Sequence, residues 1–70
     1  MMPLSMVSIG ETKSIVKING KDDTRRFLEN LGFVEGASVT VVSAISGNMI
    51  VNIKDARVAI DKSMANRIMV

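Results

Sequence analysis

Seventy residues, 47% of them apolar, with nine cations against seven anions, give room for one domain and one small core, at a net charge of +2. The charges are too few and too interspersed for an electrostatic nucleic-acid footprint, and no apolar run approaches the ~20 residues of a membrane span. Histidine and cysteine are both absent, which removes the commonest general base, the commonest zinc or iron ligand, thiolate metal sites and any disulfide framework together.

Pro3-Leu4-Ser5 opens the chain, and Ser5 is placed to cap a single helical turn through Met6 and Val7 that ends at Gly10. The first cation is Lys13, so this segment lacks the basic lead-in of a secretory signal and a cytoplasmic location is expected. From Thr12 to Ile18 the residues alternate as in a strand, with Ser14, Val16 and Ile18 on one face and Lys13, Ile15 and Lys17 on the other. Asn19-Gly20 would suit a two-residue hairpin, but Lys21 to Arg26 have helical character, so the chain is expected to turn into a helix.

Asp22, Asp23 and Thr24 can each accept from the free N–H groups of a first helical turn, and the aspartates also complement its positive end. The spacing predicts a helix from near Asp23 to Leu31 that buries Phe27, Leu28 and Leu31 and leaves Arg25, Arg26, Glu29 and Asn30 in water. Gly32 can take the left-handed stop, which brings Phe33 onto Leu28. Gly36 suits the third position of a turn that needs positive φ, ahead of a strand from Ala37 to about Ala44 rich in β-branched residues.

Ser46-Gly47-Asn48 then breaks the run, and Met49, Val51 and Ile53 share one face of the returning hairpin strand. Lys54-Asp55-Ala56 makes a second reversal before a strand over Arg57 to Ile60. Asp61 can cap a brief helical turn that carries Met64 and Ala65 inward, and Ile68 and Val70 stand at strand spacing as a closing piece. About five short strands with one main helix point to a mainly β, small closed barrel spanning residues 1–70 as a single domain, because closure removes the exposed edges of so short a sheet. Its expected core joins Phe27, Leu28 and Leu31 to Val16, Ile18, Val39, Val41, Val51 and Ile53.

The residues Pro3-Leu4-Ser5 with Gly10, Arg25-Arg26 with Leu28, Leu31-Gly32-Phe33 with Gly36, and Ala59-Ile60 followed by Ala65, Ile68 and Val70 resemble the FeoA family across nearly the whole chain. The resemblance implies an SH3-like barrel and a cytoplasmic, non-catalytic role in bacterial ferrous iron uptake beside FeoB, a transporter with a cytoplasmic GTPase domain. Similar domains occur in metal-dependent repressors, which makes a transition-metal-responsive regulatory module the alternative. Two departures stand out: Glu35 occupies a position where relatives often have proline, and the 44–48 tip is short and uncharged.

No nucleophile and base pair and no phosphate-binding glycine run is present, so no enzymatic activity and no cofactor is expected. A metal would have to rest on Asp22, Asp23 and Glu29, an oxygen set suited to hard ions, and capping already explains both aspartates. Arg25, Arg26, Lys21 and Glu29 are the candidate partner-binding residues, against the plainer reading of a solvated helix face. Leu31, Gly32, Phe33 and Gly36 are structural, and Met49, Met64 and Met69 fill core or rim. With no Trp or Tyr, the chain lacks both the aromatic groove of a proline-peptide reader and the stacking platform of a nucleic-acid barrel.

Overall fold

The computed structural model describes residues 1–20 and 22–70. A 3₁₀ turn, Leu4–Met6, is followed by β1 (Thr12–Ser14), β2 (Lys17–Ile18), α1 (Asp23–Leu31), β3 (Ser38–Ile45), β4 (Asn48–Ile53), β5 (Ala56–Asp61), the one-turn α2 (Lys62–Ala65) and β6 (Ile68–Met69). The order β1-β3-β4-β5 forms one antiparallel sheet, and β2 pairs with β6 in a second. Pro3 bridges Met69, and Met2 and Val70 exchange two backbone hydrogen bonds of 2.8 Å, so the opening and closing segments are knitted together.

Six strands appear where about five were expected, because the strand predicted over residues 12–18 is divided. Lys13 still pairs with Val39, but the Ile15 amide donates to Ala37 O (2.9 Å) and the Val16 amide to Met69 O (2.8 Å). The chain changes partner at this point, from one sheet to the other, and the two-residue alternation is reset. Ile15 and Ile18 are therefore both buried although three apart, and Val16, expected in the core, is 46% exposed.

The opening turn also differs in detail. Pro3 stands at its N-cap with no side-chain cap bond, and Ser5 lies inside the turn, its Oγ directed to Asn66 Oδ1. Proline suits this entry because it has no N–H to leave unsatisfied. Ser5 thus ties the opening segment to the residue after α2 instead of capping.

Asp22 caps α1 as its residue type requires, its Oδ1 accepting from the amides of Thr24 (3.1 Å) and Arg25 (3.3 Å). At the other end Gly32 has φ 111°, the Gly32 amide donates to Glu29 O (3.0 Å) and the Phe33 amide to Leu28 O (3.1 Å). This is the paired bonding of a Schellman stop, and Leu28 and Phe33 are both fully buried in the same core. Phe27 departs from expectation: it is 50% exposed. At about 100° per residue it lies roughly a quarter-turn from Leu28, while Thr24, Leu28, Leu31 and Gly32 form the face turned toward the sheet.

The turn after the stop keeps its geometry without proline: the Ala37 amide donates to Val34 O (3.0 Å) around Glu35 and Gly36, the latter at φ 86°. Two-residue loops, Ser46-Gly47 and Lys54-Asp55, then close the β3–β4–β5 meander, and the register slips only between Val41 and Ser43. Met49, Val51 and Ile53 face inward as expected and meet Val39, Val41, Ile60 and Ile68. Asp61 Oδ1 caps α2 by accepting from the Met64 amide (2.8 Å), with Ala65 fully buried and Met64 half-buried against the core.

Candidate functional site

Helix α1 presents a charged outer side on which Asp23, Arg26, Phe27 and Asn30 are all exposed. Arg26 NH1 lies 3.9 Å from Asp23 Oδ1 with the arginine side chain 79% exposed, a contact across one helical turn that holds it only loosely. Arg25 is more constrained, its Nε 3.5 Å from Glu29 Oε2 and its NH1 donating to Gly20 O (3.3 Å). The four candidate partner-binding residues are thus not equivalent. Arg26 is exposed with one loose contact to Asp23, Arg25 and Glu29 pair with each other, and Lys21 lies outside the described residues.

Two residues outside the sequence expectation also shape this side of the molecule. Phe27, expected in the core, instead stands beside Arg26 on the outward side. Arg67 reaches across from the segment after α2, its NH1 donating to Asp22 Oδ1 (2.9 Å) and Oδ2 (3.1 Å). Forty-five positions separate the pair, so no local pattern could have announced it. The Asn19 amide donates to Arg67 O (2.8 Å), which fixes the approach to α1 from the same strand end.

The Arg67 hydrogen bonds hold the Asp22 carboxyl below its ordinary pKa, against an opposing desolvation effect, with further help from the Arg25 amide, the Arg67 charge and the Thr24 amide. Since the folded-state value is lower than the unfolded one, this stabilisation is complete above the unfolded pKa and is lost as pH falls through the folded one. Asp22→Asn keeps a capping oxygen but no charge. Thermal melts on acidification should therefore fall less steeply for this variant than for the wild type, and identical slopes would locate the acid sensitivity elsewhere.

The outer face of the four-stranded sheet carries a polar row, Thr12-Thr40-Asn52-Arg57, in register across all four strands, with the two threonine hydroxyls 2.7 Å apart. Beside it an open groove of about 750 Å³ is lined by Ser38, Thr40, Asn52, Lys54, Asp55 and Arg57 among others. Its hydroxyls, amide and charges can hydrogen-bond a ligand, but no nucleophile is paired with a base there.

The metal candidates do not converge. Asp22 is engaged by Arg67 and the helix amides, Asp23 faces Arg26, and Glu29 faces Arg25. Among the described residues no three carboxylates gather as a ligand set, and the donor set present does not fit a resident transition metal. No described helix is long and apolar enough to cross a membrane.

The family model described as the FeoA domain matches residues 2–70. Among solved structures, the chain is similar to an iron uptake regulatory protein, FeoA, at 31% identity and a TM-score of 0.91, covering 99% of this chain and 93% of that one. It is also similar to Stenotrophomonas maltophilia FeoA complexed with zinc, described as a prokaryotic SH3 domain protein, at 26% identity and a TM-score of 0.90, covering 100% and 89%. A manganese-dependent transcriptional repressor shares the fold alone, at 22% identity and a TM-score of 0.86 over 94% of this chain and 38% of the repressor. No curated protein matches the sequence. The mainly β fold is SH3-like, as the motif resemblance implied.

Proposed function

We propose, from the premise that this chain belongs to the FeoA family and so has a role in ferrous iron transport, that it is a non-catalytic cytoplasmic adaptor docking on the cytoplasmic part of a FeoB-type transporter. The observation that carries the docking is the outer side of α1, where half-exposed Phe27 stands next to the exposed guanidinium of Arg26, held only by a loose contact to Asp23. Aromatic and arginine side chains are enriched where interfaces bury a centre, since each combines large contact area with a directional or charged edge. A chain without histidine or cysteine offers a shaped surface in place of reactive groups, so GTP hydrolysis in such a complex falls to the transporter.

Residues 1–70 act as one domain in this reading, with no cofactor and no nucleic-acid partner. The metal-responsive alternative draws on fold likeness to the repressor only. Affinity capture on the transporter's cytoplasmic region tests the adaptor. Wild type should be retained, whereas Phe27→Ala and Arg26→Glu should each weaken binding roughly tenfold or more. The exposed Phe27 change should leave folding stability within about 0.5 kcal/mol. Absence of association in every nucleotide state of the GTPase would refute the adaptor.

A further inference from the structure

Strand β5 ends the four-stranded sheet, and its outer edge is open. Ala56–Asp61 pairs with β4 in an unbroken register from Ile53↔Ala56 to Asn48↔Asp61. Because the Lys54-Asp55 loop has two residues, both at positive φ (50° and 62°), its flanking pair exchanges hydrogen bonds, and so do alternate pairs beyond it. Ala56, Val58 and Ile60 therefore spend their backbone groups on β4. Arg57 and Ala59 turn both of theirs outward and Asp61 turns its amide outward, its carbonyl standing at the N-cap of α2, and none of these outward groups has a partner among the turn and loop bonds of the described residues. The opposite edge, β1, is only three residues long and carries Lys13, both features that discourage pairing. Residues 56–61 contain no lysine, proline or bulge.

The occupant that fits this edge is a second copy of the same strand. An antiparallel, two-fold pairing through the outward groups of Arg57, Ala59 and Asp61 allows few registers. Placing Arg57 opposite Arg57 or Asp61 opposite Asp61 sets like charges together, and offsets that place Ala59 against either leave the charges unmatched. One register matches every position: Arg57 opposite Asp61, Val58 opposite Ile60, Ala59 opposite Ala59, and the same in reverse. The sequence R-V-A-I-D is thus self-complementary in charge, size and pleat about Ala59.

The surroundings agree with that register. Arg57 and Asp61 are both exposed, and neither has an ion-pair partner among the described residues. Asp61 uses Oδ1 to cap α2, which leaves Oδ2 for an incoming guanidinium. On the outer face Ile50 lies beside Ala59, so pairing would line up Ile50, Ala59 and their two counterparts as an apolar strip between the charged pairs. We propose that β5 pairs antiparallel with β5 of a second copy about Ala59, giving a two-fold dimer with a continuous eight-stranded sheet and reciprocal Arg57–Asp61 ion pairs. The interface is small and apolar only at its centre, so association is weak and concentration-dependent.

Sedimentation equilibrium of the intact chain at increasing concentration, in low salt, tests the pairing. Wild type should rise from monomer mass toward twice that value. Ala59→Pro removes an amide that points away from β4, so it should keep the native amide spectrum yet remain monomeric at every concentration. Arg57→Asp and Asp61→Arg should each remain monomeric alone, but an equimolar mixture should recover dimer, since each ion pair then re-forms with its charges reversed or unchanged. A wild type that stays monomeric overturns the proposal, as does dimerisation undiminished by Ala59→Pro or a mixture that fails to associate. Loss of transporter capture by Ala59→Pro with a monomeric wild type would instead assign the edge to that partner's strand.

Discussion

Phe33→Ala should remove a large share of the folding stability, while Phe27→Ala, six residues earlier, should scarcely move the melting curve. Phe33 is fully buried and among the largest side chains of the core, and deleting a buried phenyl ring costs about 3–5 kcal/mol in transfer and cavity terms. A domain of this size has roughly 4–10 kcal/mol to lose. Phe27 is 50% exposed, and its truncation leaves no cavity. Urea denaturation of the two variants in parallel separates them, and midpoint shifts of similar size would contradict the packing described for α1. Leu28→Ala should follow Phe33→Ala, at about 2–5 kcal/mol, because the two residues close the same helix stop.

Gly32→Val should be strongly destabilising. At φ 111° an L-residue carries about 1–2 kcal/mol of backbone strain, and a Cβ here would meet Lys54 Cδ at 3.2 Å and Ile53 Cγ1 at 3.5 Å. The lysine stem can swing aside toward solvent, but Ile53 is almost wholly buried and further branches on the new side chain would press on it. Gly32→Ala should lower the melting temperature by roughly 4–16 °C, Gly32→Val by more, and Gly32→Asn by least, since asparagine enters the left-handed region most readily. Equal losses for asparagine and valine would mean that the stop does not depend on that conformation.

The features legible in the sequence were those whose cause is local. An aspartate before a helix, a glycine after it, a glycine at the third position of a turn and β-branched residues beyond specify α1 and β3 within a few positions, and the structure has all four. What escaped has a long-range cause. The alternation over residues 12–18 is genuine as a pattern, but Ile15 and Val16 bond to Ala37 and Met69, and no window around residue 15 contains either. Phe27 is apolar at a helical spacing compatible with burial, and only the width of the face that meets the sheet decides that Thr24 takes its place.

The candidate site divides in the same way. Arg26 and Glu29 fall on the wet side of α1 as their spacing requires. The Asp22–Arg67 contact that anchors the start of that helix joins residues with nothing in common along the chain until the barrel forms. The aromatic part of the proposed docking surface was hidden by its own hydrophobicity, which counts equally toward a core and toward an interface.

The knitting of Met2 and Pro3 to Met69 and Val70, and of β2 to β6, also sets a timetable. The β3–β4–β5 meander joins near neighbours through two-residue loops, whereas these closing bonds join residues fifty or more positions apart. Folding therefore closes the second sheet late, once the meander has brought residues 17 and 18 within reach of 68 and 69.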